Sequence, residues 1–493
     1  MLRKRIVCAL SAFFVAVSVM GCTDKKSAQS EDVVLKYIMV GPAGQEDQRM
    51  VFDEFNRKLQ EKIPGVSIDF EIIAASDYKQ RFMLIQAGGE KVDIVGTYGL
   101  DFQYEVENQT FISLDELLDK YAKETKEILP DWLFDYMKVD GKIYGIPAYQ
   151  QIDTPYGIFM QKKYADKYMD IEKFKNALQS KQYTAVYDMI DDYAQKLLEN
   201  GEIGLGLDCG MITSLAYENL KSNFVLERQG DKKYKVLYQF MSDVYKEQYE
   251  RTHNWYKKGY IRKDVMTASD QASKKFLDEG GYVMWSDQIG PEDPSSERYQ
   301  NFYQIPLSDH YRIPSSSAAG GVAIMASCEY PDKAMQVLNL LHSNKELYNL
   351  LSYGIEGVHY KKLDENKIEV PYNSTQGSIN DKYGLYRWII GNTEISYDTQ
   401  YDTELIKNWV FNEVNKAEEK SDFIGFNLNT SNIQNQIDQI AAIKGQYMGT
   451  LANGVSENWQ EQYAEWMTKL DAVGIDKVIQ EIQKQVDEFL ENK

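Results

Sequence analysis

The sequence predicts an α/β fold that closes with a long helical C-terminal region. Three observations carry this expectation. Apolar strands alternate with amphipathic helices from Val33 onward, the alternation returns from Gly157, and the stretches after about residue 400 have helical spacing throughout. The chain of 493 residues is too long for one compact core, and its length suggests about three domains.

The first element is the strand VVLKYIMV (33–40), broken by GPAG. In QEDQRMVFDEFNRKLQEK (45–62), Met50, Val51, Phe55 and Leu59 share one helical face, and Pro64-Gly65 ends the helix. VSIDFEII (66–73) is a second strand, DYKQRFMLIQAGG (77–89) a second helix and VDIVGTY (92–98) a third strand. This order predicts a parallel sheet with helical crossovers. The second series runs GIFMQ (157–161, strand), VYDMIDDYAQKLLENG (186–201, helix), GLGLD (204–208, short strand) and FVLERQGDKKYKVLY (224–238, a hairpin turning at Gly230-Asp231). It continues with the helix DQASKKFLDEGG (270–281), the strand YVMW (282–285) and the buried strand GGVAIMAS (320–327). Residues 331–354 give helix, break, helix, and helices are expected over 404–420, 433–451, 458–474 and 476–493. No internal period points to a solenoid.

The N-terminus has a separate logic. Arg3, Lys4 and Arg5 precede an apolar run from Ile6 to Met20, which ends in SVMGCTDKKS (18–27). A basic start, a short apolar core and a small residue before the cut define a signal peptide over 1–21, the run being shorter than the roughly 20 residues of a membrane span. Residues 22–32 then form a polar, flexible tether. Cys22, at the first mature position, resembles the lipobox of bacterial lipoproteins, which implies a diacylglyceryl group on its thiol and anchoring at the outer face of the cytoplasmic membrane. The alternative is an ordinary signal peptide with an incidental cysteine.

A formal net charge of −20 disfavours nucleic acid and anionic lipid, and no basic block offsets it. Cys209 and Cys328 read as two free buried thiols, with a disulfide as the alternative that spacing does not decide. No phosphate loop, dinucleotide fingerprint, CxxC pair, EF-hand loop or G-x-S-x-G elbow is present. The four histidines, His253, His310, His342 and His359, form no zinc pair on one helical face. No cofactor, metal site or catalytic constellation is therefore expected, although a glycosidase carboxylate pair has no linear signature.

Four stretches, in order, carry a resemblance: YMKVDGKIYGIPAYQ (136–150), YGIFMQKKYADKY (156–168), EGGYVMWSDQIGP (279–291) and AAGGVAIMASCEYPDKAMQVLNLLHSNKELYNLLSYGIEGVHY (318–360). Together they resemble the extracellular solute-binding proteins of ABC importers, in the cluster that contains the maltose- and oligosaccharide-binding proteins. YGIEGVHY and the C-terminal AVGIDKVIQEIQKQVDEFL resemble a lipoprotein subgroup with a distinctive helical C-terminal region.

The resemblance implies a periplasmic-binding-protein-like fold: two α/β lobes joined by a hinge, with the helical region as an extension. On this basis lobe 1 is expected to comprise 33–148 and 286–345, and lobe 2 to comprise 149–285 and 346–493. It also implies a monomer that closes on an oligosaccharide and hands it to the transmembrane subunits of an ABC permease. Alternatives keep the fold with a peptide or other polar solute, make the protein a surface carbohydrate-degrading lipoprotein, or make it a sensor component.

Ligands of such sheets bind beyond the carboxyl ends of strands. Sugars need aromatic platforms and charge-assisted hydrogen bonds. The strand-following loops offer Tyr98, Tyr149, Tyr156 and Trp285 as platforms, and Gln45, Glu46, Asp101, Gln150, Gln151, Asp153 and Asp287 as polar partners. YRWIIGN (386–392) adds Arg387, Trp388 and Asn392. Core packing is the competing role for Tyr149, Tyr156, Trp285 and Trp388.

Overall fold

The computed structural model describes residues 32–152, 156–202, 217–268, 270–291, 297–307, 320–371, 382–400, 402–416 and 421–492. The signal peptide, Cys22, the 204–208 strand, Asp153, Cys209 and His310 lie outside these described residues.

The chain opens with β1 (Val33–Val40), α1 (Gln48–Lys62), β2 (Val66–Ile73), α2 (Ala75–Gly88), β3 (Ile94–Gly96) and α3 (Phe102–Glu107). After β4 (Ile146–Pro147) it crosses to β5 (Tyr156–Gln161) and α4 (Tyr183–Glu199). A three-stranded meander follows, β6 (Glu218–Lys221), β7 (Phe224–Gly230) and β8 (Lys233–Tyr238), and then α5 (Asp243–Lys258). Next come β9 (Met284–Gln288), β10 (Phe302–Pro306) and β11 (Gly321–Ile324), then α6 (Pro331–Ser343) and α7 (Lys345–Tyr353). Three long helices end the chain: α8 (Gln434–Ala452), α9 (Trp459–Val473) and α10 (Ile475–Glu491).

The first lobe is built on a five-stranded sheet in the order β2-β1-β3-β11-β4. Strands β1, β2 and β3 are parallel, as the strand–helix alternation predicts. Strand β11 is antiparallel to both β3 and β4, so the sheet is mixed. The register shows why: β11 starts opposite Gly96 and Pro147, so it enters from the edge where β3 and β4 end. Side chains alternate along β1. Leu35, Tyr37 and Met39 pack with Val51, Phe55 and Leu59 of α1, and Ile38 and Val40 pack with Tyr78, Phe82 and Ile85 of α2.

The second sheet is β9-β5-β10, antiparallel throughout. Here the alternation of strands and helices misleads, because the partners of β5 are far away in sequence and both run against it. Ser286–Gln288 of β9 and all of β10 thus lie in the second sheet and not in the first-lobe sheet, because both strands pair with β5. Conversely, Leu347, Leu351, Ile390, Trp409 and Val414 pack in the first-lobe core, so that lobe also takes residues beyond 345. The helix expected over 404–420 is short: Glu404–Asn408 is α-helical and Trp409–Val414 is a π turn.

The third core joins the β6–β8 meander to the C-terminal helices. Phe224, Leu226, Val236 and Tyr238 meet Ile437, Trp466, Leu470, Val478 and Ile482. Helix α5 belongs to both neighbours, placing Tyr245 and Tyr249 in this core and Trp255 in the second-lobe core. Gly454, with φ +69, sits against the Thr252 carbonyl of α5, where any Cβ would collide with the backbone. The C-terminal region therefore rides on the second lobe. Among the described residues no helix is long and apolar enough to cross a membrane, and no side-chain cluster fits a metal ion.

Candidate functional site: the edge where the lobes meet

Strands β1, β3 and β4 all end on one edge of the first-lobe sheet. The loops that follow them are laced together there. Thr97 N–H donates to Gly321 O at 2.8 Å and Ala148 N–H to Gly320 O at 3.2 Å. Tyr149 N–H donates to Gly391 O, and Thr393 N–H to Tyr149 O, both at 2.8 Å. The crossing into the second lobe leaves from this edge at residues 150–152.

Two aromatic groups stand out, one on each lobe. In the first lobe, Tyr98 meets Trp388 edge-on with ring centroids 4.9 Å apart, and Trp388 stacks on Tyr386 at 5.9 Å and 22°. Tyr386 is 39% exposed and forms the open end of this row. In the second lobe, Trp285 stacks on Phe159 at 5.3 Å and 15° and meets Phe302 edge-on at 5.1 Å. Trp285 pairs with Phe159 and Asp287 with Gly157, so both point to the sheet face opposite Ile158, Met160 and Met284 of the lobe core. The indole Nε1 of Trp285 is buried with no hydrogen-bond partner among the described residues. Asp287 accepts from its neighbour Gln288 N–H at 2.8 Å.

The remaining predicted residues separate into groups. Glu46 is exposed, and Gln45 is held by Gly384 N–H, which donates to its Oε1 at 3.1 Å. Asp101 takes a hydrogen bond from Lys221 Nζ at 2.7 Å. Gln150 and Gln151 are half-buried on the crossing, where Asn415 clasps the backbone: its Nδ2 donates to Gln150 O at 2.7 Å and its Oδ1 accepts from Ile152 N–H at 3.0 Å. Tyr149 is buried against Phe411, and burial together with the Glu394 carboxylate pushes its phenol pKa up. Tyr156 lies on the core side of β5, not on the face of Trp285. Asn392 is fully buried and caps the next turn, accepting from Glu394 N–H at 2.9 Å.

Arg387 is committed elsewhere. It forms a two-pronged pair with Asp402 at 3.0 and 2.9 Å and donates to Tyr353 Oη at 2.7 Å. Burial opposes both charges, but the pairing outweighs it: Arg387 is raised and Asp402 is held below the ordinary carboxylate range. Cys328 carries a free thiol whose pKa burial pushes up to about 12, which disfavours the thiolate at neutral pH.

Sequence reasoning passed over Tyr386, Phe159, Phe302 and Lys221. Tyr386 had a signal, being two residues from Trp388. Phe159 and Phe302 needed the β9-β5-β10 pairing, and Lys221 needed a contact across more than a hundred residues.

Two α/β lobes joined by chain crossings, each with its own sheet and aromatic group, have the architecture of a two-lobed binding protein. The chain belongs to the bacterial extracellular solute-binding proteins: that family's model matches residues 51–354, more than half of the chain. Residues 422–491 match a domain of unknown function, DUF3502. Over 99% of its length the chain is 26% identical to a protein of Streptococcus pneumoniae serotype 4 described as a carbohydrate ABC transporter substrate-binding protein, covering 97% of that relative. Among solved structures it is similar to the N-glycan transport solute binding protein NgtS from Streptococcus pneumoniae, with a TM-score of 0.71 and 23% identity over 93% of this chain and 99% of that one. The same protein in complex with Man5GlcNAc gives 0.64 and 24%, over 93% and 99%. An extracellular solute-binding protein from Bifidobacterium longum subsp. infantis gives 0.62 and 16%, over 93% and 98%. At these identities the structural likeness speaks to the fold.

Proposed function

We propose that this protein captures an oligosaccharide between its two lobes and delivers it to the transmembrane subunits of an ABC permease. The observation that carries the reading is an aromatic group on each lobe, Tyr98–Trp388–Tyr386 on one and Trp285, with Asp287 on the same strand face, on the other. Sugar rings have apolar faces that stack on such side chains and hydroxyl rims that suit carboxylates and carboxamides. Asp287, Glu46, Gln150 and Gln151 are the polar candidates that would bind the hydroxyls. The relatives described as carbohydrate-binding support the ligand class. Hinge closure about the crossings is the mechanism, and the closed form is what the permease recognises. The protein acts as a monomer that binds without turnover.

Calorimetric titration with Man5GlcNAc, followed by analysis of the recovered glycan, tests this. One-to-one binding with intact sugar is expected. Steady release of shorter sugars, lost on mutating one carboxylate, would replace the reading by a hydrolase. Anchoring belongs to the same proposal: Cys22 carries lipid, and Cys22→Ala releases the protein to the medium or leaves it unprocessed. An unmodified mature Cys22 in mass spectrometry would refute it.

A further inference from the structure

The C-terminal domain reaches back to the first lobe, and its contacts converge on one short helix. At the start of α3, Lys221 Nζ of the meander donates to Asp101 Oδ2 at 2.7 Å. At its end, Asn429 Nδ2 donates to both carboxylate oxygens of Glu107, at 3.0 and 2.9 Å. Beside it, Asn427 Nδ2 donates to Lys138 O at 3.0 Å. The segment bearing these asparagines is not loose. Gln485 of α10 grips the backbone of Asn429 twice, its Oε1 accepting from the N–H at 2.9 Å and its Nε2 donating to the carbonyl at 3.0 Å. Gln483, two residues away on α10, grips β8 in the same fashion through Val236 N–H at 2.8 Å and Tyr234 O at 3.0 Å. One helix thus fixes both the strap and the meander that carries Lys221, and its apolar face is buried in the third core.

Helix α3 directly follows Tyr98 and Asp101, and its Phe102 and Val106 pack in the first lobe. Because the C-terminal domain rides on the second lobe through α5, any change in the angle between the lobes must pass through these contacts. We infer that the C-terminal helices, together with the meander they hold, form an inter-lobe clamp: Lys221 of the meander grips the start of α3 and Asn429 its end, which sets the lobe angle of the ligand-free protein and holds the Thr97–Asp101 loop in place. This assigns a role to the region that matches a domain of unknown function, and it does not depend on which ligand binds.

The test uses the whole mature protein without ligand. Small-angle scattering reports the lobe angle, and hydrogen exchange reports the amides of Phe102–Glu107. Lys221→Asp places two carboxylates together, so the radius of gyration should rise and α3 should exchange faster. Asp101→Lys with Lys221→Asp restores opposite charges and should return both readouts toward the wild type. Asn429→Ala, which leaves the ion pair intact, should speed exchange at the end of α3 near Glu107. Because the double variant must recover, general misfolding cannot imitate the expected result. Wild-type scattering and exchange in Lys221→Asp and Asn429→Ala, or a double variant as open as the single one, would overturn the inference.

Discussion

The two lobes present their candidate ligand groups by different means. In the first lobe they come from a loop and a short helix: Tyr98 follows β3, Tyr386 is the N-cap of the helical turn Arg387–Ile390, and Trp388 lies within it. In the second lobe they come from a strand, since Trp285 and Asp287 sit two residues apart on β9 with their direction set by the pleat. Loop positions depend on what anchors the loop, whereas strand positions depend on register alone. The first lobe therefore invests in anchors: Arg387 clamped by Asp402, Gln45 bound to Gly384 and Asn392 capping its own turn. The second lobe needs none of these.

The largest effect expected from this contrast is at Trp285. Truncation to alanine should weaken oligosaccharide binding by about 2 kcal/mol or more, as aromatic hot spots do, and Asp287→Asn should weaken it less. Titration beside melting curves checks both. A large fall in melting temperature with unchanged affinity would make Trp285 a packing residue against Phe159 and Phe302 instead.

Arg387→Met should act in the opposite way. It strands the half-buried Asp402 carboxylate and loosens the Tyr386–Trp388 segment, costing about 2 kcal/mol of stability by urea unfolding. Its effect on binding should come through that segment, so second-lobe substitutions such as Asp287→Asn should add to it independently.

A smaller effect separates the lobes by pH. His342 is buried in the first-lobe helix α6, and burial lowers its pKa to about 3. An unfolded histidine titrates near 6.5, so the stability this group contributes is full above about 6.5 and is lost as pH falls from there toward 3. Between about pH 7 and 5.5 the loss should be about 1 kcal/mol. His359, also lowered by burial although its Nε2 lies 3.2 Å from Asp47 Oδ2, acts in the same direction. Unfolding of wild type and His342→Leu at both pH values checks this, and an equally steep loss in the variant would assign the acid sensitivity to other groups.

Legibility in the sequence followed the same division. The parallel β1–β3 core was readable because each strand is bracketed by a helix with a clear apolar stripe, such as Val51, Phe55 and Leu59. The C-terminal helices were readable within a residue or two for the same reason. Helix α5 was not, because its buried side is made of Tyr245, Gln248, Tyr249, Thr252 and Trp255, which do not read as an apolar stripe. The second sheet was hidden by long-range antiparallel pairing. Of the site, the shared face of Trp285 and Asp287 follows from strand alternation, whereas the Tyr98–Trp388 contact joins segments far apart in sequence and needed the fold. The commitments of Arg387, Asn392 and Tyr156 needed it too, since each depends on a partner that only the fold supplies.

On the proposed function, both aromatic groups hold one oligosaccharide. This is tested most directly by a thermal-shift screen of neutral oligosaccharides and peptides on the wild type, Trp388→Ala and Trp285→Ala. A ligand at a hundredfold excess over its dissociation constant stabilises by about 2.7 kcal/mol. An oligosaccharide should stabilise the wild type, and either substitution, one on each lobe, should sharply reduce the shift. A shift produced by peptides alone, or an oligosaccharide shift that survives in both variants, would contradict it.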